Sequence, residues 1–237
     1  MTFSIVARSG DALGVATATR SLAVGAVVPA AAPATGALAT QARTNRGFRS
    51  SGLRLMRDGV APRDVLAALE REDVGFDQRQ VALVDASGRG AVWTGPECLP
   101  WAGGWSRDGV AVAGNLLVGR EVLEAMDAAF AAEPDAPLSR RLLAALTAGD
   151  GAGGDRRGRQ SAALVVVAGA DDGAWPPTTR VDLRVDDHPD PVGELARLVA
   201  LAEVEVATAE PAEAVPEGER GAAAGAGPDT VTSPPAP

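Results

Sequence analysis

The sequence predicts an α+β protein: a four-layer α-β-β-α sandwich of two antiparallel sheets between helical layers. Three observations predict it. Short apolar runs occur in pairs joined by Gly, Asp and Ser turns, as hairpins do. Between those pairs stand segments whose apolar residues recur at helical spacing. The order then runs strands, helices, strands, helices, strands and a final helix, so strands come in blocks.

Thr2 to Arg8 reads as the first strand, Ser9-Gly10-Asp11-Ala12 as a turn, and Leu13 to Thr19 as its hairpin partner. Arg20 to Ala34 shows no clear period and is interrupted by Pro29 and Pro33. Gly36 to Ala42 reads as a third strand, running into the polar residues Gln41, Arg43, Thr44 and Asn45. Two helices follow. Gly47 to Asp58 carries Phe48, Leu53, Leu55 and Met56, and the next opens at Pro62, where a missing backbone donor does no harm. Gln80 to Asp85 and Gly90 to Thr94 form a second hairpin around a Ser-Gly turn. Gly95 to Arg107 reads as a loop holding Cys98, Trp101 and Trp105. Gly109 to Gly114 is another strand, with Asn115 directly after it. Glu121 to Ala132 and Leu138 to Ala148 are helices, and a Gly/Arg-rich polar loop leads to strands Ser161 to Ala168 and Thr179 to Val185. Asp190-Pro191 caps and opens a last helix ending near Val206.

The 237 residues fit one domain, residues 2–206, followed by an acidic tail, residues 207–237, rich in Ala, Pro and Gly. That tail carries five acidic residues and one Arg, and its composition predicts disorder. Aromatic residues make up 3 % and Tyr is absent, so the core must rest on Ala, Val and Leu. All basic residues are Arg, a bias typical of a GC-rich bacterial genome, and no lysine is available as a base or Schiff-base former. A net charge of −9 argues against general nucleic-acid binding. One Cys excludes an intrachain disulfide framework, and one His, His188, excludes a multi-histidine metal site within the chain. No cofactor or metal is expected. No leader-like or membrane-length apolar run appears, so a cytoplasmic protein acting on a small molecule, away from membranes, is expected.

Thr2 is the residue on which the chemistry turns. A Thr after the initiator Met favours removal of that Met. Thr2 would then carry an amine and a hydroxyl together, the amine with a reference pKa of about 7.7–8.0. Such an amine accepts the hydroxyl proton, directly or through water, and makes Oγ1 a nucleophile. Ser4, two residues along the strand, shares its face. Asn115 can offer N–H groups to a developing oxyanion or simply serve a turn. The loop Asp155 to Ser161 carries guanidinium groups that match carboxylates. Cys98 has no nearby His to activate it and reads as inert. Asp186-Asp187-His188 reads as the approach to a helix rather than as metal ligands.

The segments MTFSIVAR, GVATATRSLAVGAVVP, GALATQARTN, VDASGRGAVWTG, CLPWAGG, VAGNLL, GGDRRGRQSAAL and VDLRVDDHPDP resemble domain-of-unknown-function family 1028, over about Thr2 to Val206. That bacterial family is grouped with the N-terminal nucleophile (Ntn) hydrolase fold of proteasome β subunits. The resemblance implies an Ntn-hydrolase-like sandwich with Thr2 as nucleophile opening its first strand. It also exposes a departure. Proteasome-type sites place an Asp and a Lys beside the nucleophile, whereas Ala16 to Arg20 holds no Asp and the chain no Lys. Arg20, Gln41 and Arg43 are the nearest groups left to tune the amine.

The function expected is therefore an amide-bond hydrolase acting on a small anionic amide or short peptide-like compound. Thr2 and Asn115 are its expected catalytic residues, and Arg20, Gln41, Arg43, Asp155, Arg156, Arg159 and Ser161 its substrate-binding residues. A homo-oligomer is expected. The missing Asp and Lys motivate the alternative, a non-catalytic binding or assembly protein on the same fold.

Overall fold

The computed structural model describes residues 2–170 and 179–208, with the side chains of the last helix placed through Val204. In chain order the described strands are β1 (Thr2–Ser9), β2 (Ala12–Thr19), β3 (Pro29–Ala32), β4 (Gly36–Ala42), β5 (Arg79–Asp85), β6 (Gly90–Thr94), β7 (Gly103–Arg107), β8 (Val110–Asn115), β9 (Ser161–Val167) and β10 (Thr179–Val185). The helices are α1 (Gly47–Arg57), α2 (Pro62–Glu72), α3 (Glu121–Ala132), α4 (Leu138–Gly151) and α5 (Pro191–Thr208). One sheet has six strands in the order β10-β9-β2-β1-β8-β7, the other four in the order β3-β4-β5-β6, and every pairing is antiparallel.

Side-chain alternation builds the layers. Along β1, Phe3, Ile5 and Ala7 join a core with Leu123 and Met126 of α3, Leu142 and Leu146 of α4, and Leu195 of α5. Val6, on the opposite face, joins Val15, Ala37, Ala39, Ala82, Val84, Ala111 and Ala113 between the sheets. Leu38 and Leu83, on the far side of the second sheet, pack with Phe48 and Met56 of α1 and Val65 and Leu69 of α2. The layer order is α-β-β-α, as expected. Small residues dominate the middle layer and larger ones the two outer cores, which is how a chain so poor in aromatics fills its interior. Fully burying each Leu or Phe contributes about 1.5–3 kcal/mol.

Two strands depart from the sequence reading, and both are edges. Pro29–Ala32, within the stretch that showed no period, pairs with β4; a Pro at the first residue of an edge strand sacrifices no ladder bond the sheet needs. Gly103–Arg107 was expected to be loop and instead pairs with β8. Glycine hides this strand because close packing requires it: a Cβ on Gly104 would stand 2.6 Å from the Val112 carbonyl oxygen. Beyond Thr208, the expected acidic tail lies outside the described residues.

Candidate active site

The middle layer changes character along its length. In β1 the face that carries Val6 continues to Ser4 and Thr2; in β4 the face of Ala37 and Ala39 continues to Gln41; in β5 Gln80 precedes Ala82 and Val84; in β8 Asn115 follows Ala111 and Ala113. Antiparallel pairing brings these strand ends together. Thr2 stands opposite Asn115 across β1 and β8, and Gln41 opposite Gln80 across β4 and β5. One end of the sandwich is thus apolar between its sheets and the other polar.

All of these polar residues are buried. Thr2 Oγ1 donates to Thr19 Oγ1 at 3.3 Å. Ser4 Oγ lies 2.8 Å from Thr17 Oγ1 and 2.6 Å from Gln41 Oε1. Gln41 Nε2 bridges the sheets, donating to the Thr2 carbonyl oxygen at 3.3 Å, the Ala113 carbonyl oxygen at 3.2 Å and Gln80 Oε1 at 2.8 Å. Gln80 Nε2 donates to Thr94 Oγ1, Gly103 O and Gly114 O, and its Oε1 also accepts from Asn115 Nδ2 at 2.9 Å. Carbonyl oxygens only accept, so they fix which end of each Gln amide is nitrogen. Among the described residues the sole buried side-chain nitrogen or oxygen lacking a partner is Arg49 Nε, which is not a member of this network. Full satisfaction is what makes so much buried polarity tolerable.

The chain leaves this network through strained backbone. Ala42, directly after Gln41, has φ 67°, and Leu116, directly after Asn115, has φ 53°. Left-handed conformation costs a non-glycine residue about 1–2 kcal/mol. Both residues line a cleft of about 430 Å³, as do Arg43, Glu97, Asn115 and Arg157. The cleft is thus lined by the two turns that directly follow the buried amides of Gln41 and Asn115.

The cleft wall is itself held. Arg79 donates to the Arg43 carbonyl oxygen at 2.5 Å and to Asp73 at 2.9 Å, and Asn45 Nδ2 donates to the same carboxylate. The Arg79 hydrogen bond, helped by Asn45 and the Gly75 amide against the opposing effect of burial, holds the Asp73 carboxyl down at about 2. Arg157 is anchored to Asp155 at 3.1 Å, and Glu97 accepts from Gln78 Nε2 at 2.6 Å. Burial pushes the Cys98 thiol up, which suits an inert residue although it also lines the cleft.

The expected site residues separate into groups. Thr2, Gln41 and Asn115 come together, and Arg43 lines the adjoining cleft. Asp155 is buried and ties the loop down, accepting from the backbone of Arg20 and of Arg157. Arg20 in turn donates to the Arg157 carbonyl oxygen. Ser161 is buried between the amide of Val24 and the carbonyl of Ser21. Arg156 donates to the Pro100 carbonyl oxygen at 3.4 Å, and Arg159 pairs with Asp150 at a separate hollow of about 240 Å³. Within that loop it is Arg157 that lines the cleft. Gln80 and Glu97 belong to the site beyond the residues expected from the sequence. Gln80 had a signal, its phase with Ala82 and Val84; Glu97 sits in an aperiodic loop and had none. His188 Nδ1 accepts the Asp190 amide, and Asp190 caps α5 at Gly193, so this stretch serves the helix start. Among the described residues no three metal-capable side chains cluster, and no helix is long and apolar enough to cross a membrane.

The layer order defines the class: an α-β-β-α sandwich of two antiparallel sheets between helical layers, with a central strand whose first residue faces a cleft-lining asparagine. Residues 2–195 match the model of the family of unknown function DUF1028, and the chain belongs to that family. A solved member from Silicibacter pomeroyi is 36% identical, with a TM-score of 0.76 over 85% of this chain and 88% of that one. Weaker likenesses extend to eukaryotic HslV from Trypanosoma brucei, 11% identical, TM-score 0.48, over 70% of this chain and 99% of that one. The ancestral β-subunit Anbu from Yersinia bercovieri is 13% identical, TM-score 0.41, over 90% and 99% respectively. No curated protein matches the sequence.

Proposed function

We propose that the protein is an amidohydrolase of the Ntn type, with Thr2 as its nucleophile once Met1 is removed. One observation carries the reading: Thr2, at the start of a central strand, stands directly opposite Asn115, which lines the cleft. The Thr2 amine takes the Oγ1 proton as Oγ1 attacks the substrate carbonyl carbon. Asn115 Nδ2 carries two hydrogens; the Gln80 bond uses one, and the other is directed at the developing oxyanion. Collapse breaks the C–N bond, the leaving amine takes the proton held by Thr2, and an acyl ester remains on Oγ1. Water, deprotonated by the same amine, hydrolyses the ester to the free acid and restores the Oγ1–H. Gln41, donating to the Thr2 carbonyl oxygen, positions the residue, while Arg43 and Arg157 receive an anionic part of the substrate.

A β-lactone probe tests this. The expected result is an intact mass lacking Met1 and a single adduct on Thr2 that Thr2→Ala abolishes. A retained Met1, or an adduct that survives Thr2→Ala, overturns it. A second reading, a non-catalytic binding protein on the same fold, is favoured by one observation: among the described residues Ser4, Gln41, Gln80 and Asn115 bond only neutral groups. Under that reading the protein gives neither adduct nor turnover.

A further inference from the structure

The cleft holds charge of both signs. Arg43 and Arg157 line it, and so does Glu97. Arg157 is partly neutralised by Asp155, but Arg43 has no carboxylate within ion-pair distance among the described residues. Glu97 has a single side-chain partner there, the neutral amide of Gln78 at 2.6 Å. Arg43 and Glu97 therefore share one cleft of about 430 Å³ without pairing with each other.

We infer that the cleft takes a zwitterionic amide of dipeptide type, its carboxylate received by Arg43 with Arg157 and its ammonium by Glu97. The inference rests on the amidohydrolase reading and narrows its substrate class. Opposite charges kept apart in a water-filled cleft are solvated separately; a ligand bearing both charges at a matching separation replaces that water with two charge-assisted contacts. A simple anion gains Arg43 and meets repulsion from Glu97, and a simple cation the reverse, so the pair selects by rejection as well as attraction. A cleft of this volume falls in the range that encloses small ligands, roughly 300–1,000 Å³. The scissile amide of such a compound lies between its charged ends, within the same cleft that Asn115 lines.

The test is a calorimetric titration of full-length Thr2→Ala protein, which needs no turnover. The probes are alanyl-alanine, its N-acetyl form, its C-terminal amide and the doubly capped compound. The free dipeptide is expected to bind, with at least a tenfold loss on capping either end and a further loss as salt rises. Glu97→Gln is expected to remove the penalty for N-acetylation while keeping that for amidation, and Arg43→Ala to do the converse. Both side chains are exposed, and unchanged thermal midpoints report that the fold is intact. Equal binding of free and capped forms, or binding of none, overturns the inference. Charge-dependent binding without any β-lactone adduct on the unmutated protein sinks the Thr2 reading alone, and an adduct without charge dependence sinks this inference alone.

Discussion

Gln41 and Gln80 stand opposite each other across β4 and β5, joined side chain to side chain at 2.8 Å, and together they span from one sheet to the other. Gln41 reaches Thr2 and Ala113; Gln80 reaches Gly114 and holds Asn115. This amide pair, rather than any charged group, ties the second sheet to the start of β1 and the end of β8, which the backbone ladder already holds side by side.

Gln80 is therefore expected to matter more for stability than its size implies. Gln80→Leu strands the Asn115 amide and the Gly103 and Gly114 carbonyls in a buried setting, each a cost of about 1–3 kcal/mol where water cannot enter. A loss of about 3 kcal/mol in chemical denaturation is expected. A loss below about 1 kcal/mol would mean that the network relaxes or hydrates freely.

The amine mechanism has a pH signature. Only the unprotonated Thr2 amine accepts the Oγ1 proton, so kcat/KM should rise with pH and level off above the amine pKa, about 7.7–8.0 if unperturbed. The measurement is hydrolysis of a dipeptide panel between pH 5 and pH 9 (roughly the range bracketing that value). A flat profile across the range counts against the amine as base.

Asp73 gives a separate, acid-side signature in stability. Its carboxyl lies near 3.8 without partners and is held at about 2 in the fold, chiefly by Arg79. A depressed carboxyl contributes stability that is fully present above the unfolded value and is lost as pH falls through the folded one. The Asp73 share should thus fade between about pH 4 and pH 2. Asp73→Asn is expected to lower stability at neutral pH by about 1–2 kcal/mol and to flatten that part of the acid limb. Because Arg79 also holds the Arg43 carbonyl, the same variant should raise KM more than it lowers kcat.

The layers were legible in the sequence because period carries them. Phe3, Ile5 and Ala7 against Thr2, Ser4 and Val6 already separate the two faces of β1, and the Asp190-Pro191 helix start shows plainly in its capping bond. Two of the four edge strands were not legible: in β7, Gly103 and Gly104 bury no side chain and so leave no pattern, and the short β3 lies in an Ala-rich stretch broken by Pro29 and Pro33. The site was half legible. Thr2, Gln41 and Asn115 lie at strand ends in phase with the middle layer, whereas Glu97 and Arg157 reach the cleft from loops, where neither period nor burial signals position. A string of arginines states a charge but not its direction, and Arg159 turned to Asp150 while Arg157 lines the cleft.

The left-handed turn at Ala42 predicts an unusual ranking. Glycine adopts φ near 67° without steric cost, but it gives up more chain entropy on folding than alanine, by roughly 0.5–1 kcal/mol. The two effects nearly cancel, so Ala42→Gly should be neutral to slightly stabilising in chemical denaturation. Ala42→Val adds a β-branched side chain to the same turn and should cost about 2 kcal/mol or more. Equal behaviour of the two variants would show that the turn relaxes without consequence.

Asn115 separates stability from chemistry. Its Nδ2 holds Gln80 Oε1 at 2.9 Å, so Asn115→Ala removes a structural bond and the proposed oxyanion donor at once. Asn115→Asp is the sharper variant. It keeps the shape but turns the donor into an acceptor facing Gln80 Oε1, and it sets a negative charge where the oxyanion would form. On the proposed mechanism kcat should fall by about 10²–10³, as for the loss of one oxyanion-hole donor, while KM changes little because the ground-state carbonyl gains less from that contact. If Asn115 served the fold alone, both variants would lower thermal stability and leave the kcat of the protein that remains folded near its original value. Measuring kcat on active-site-titrated protein, with the β-lactone counting competent Thr2, tells the two outcomes apart.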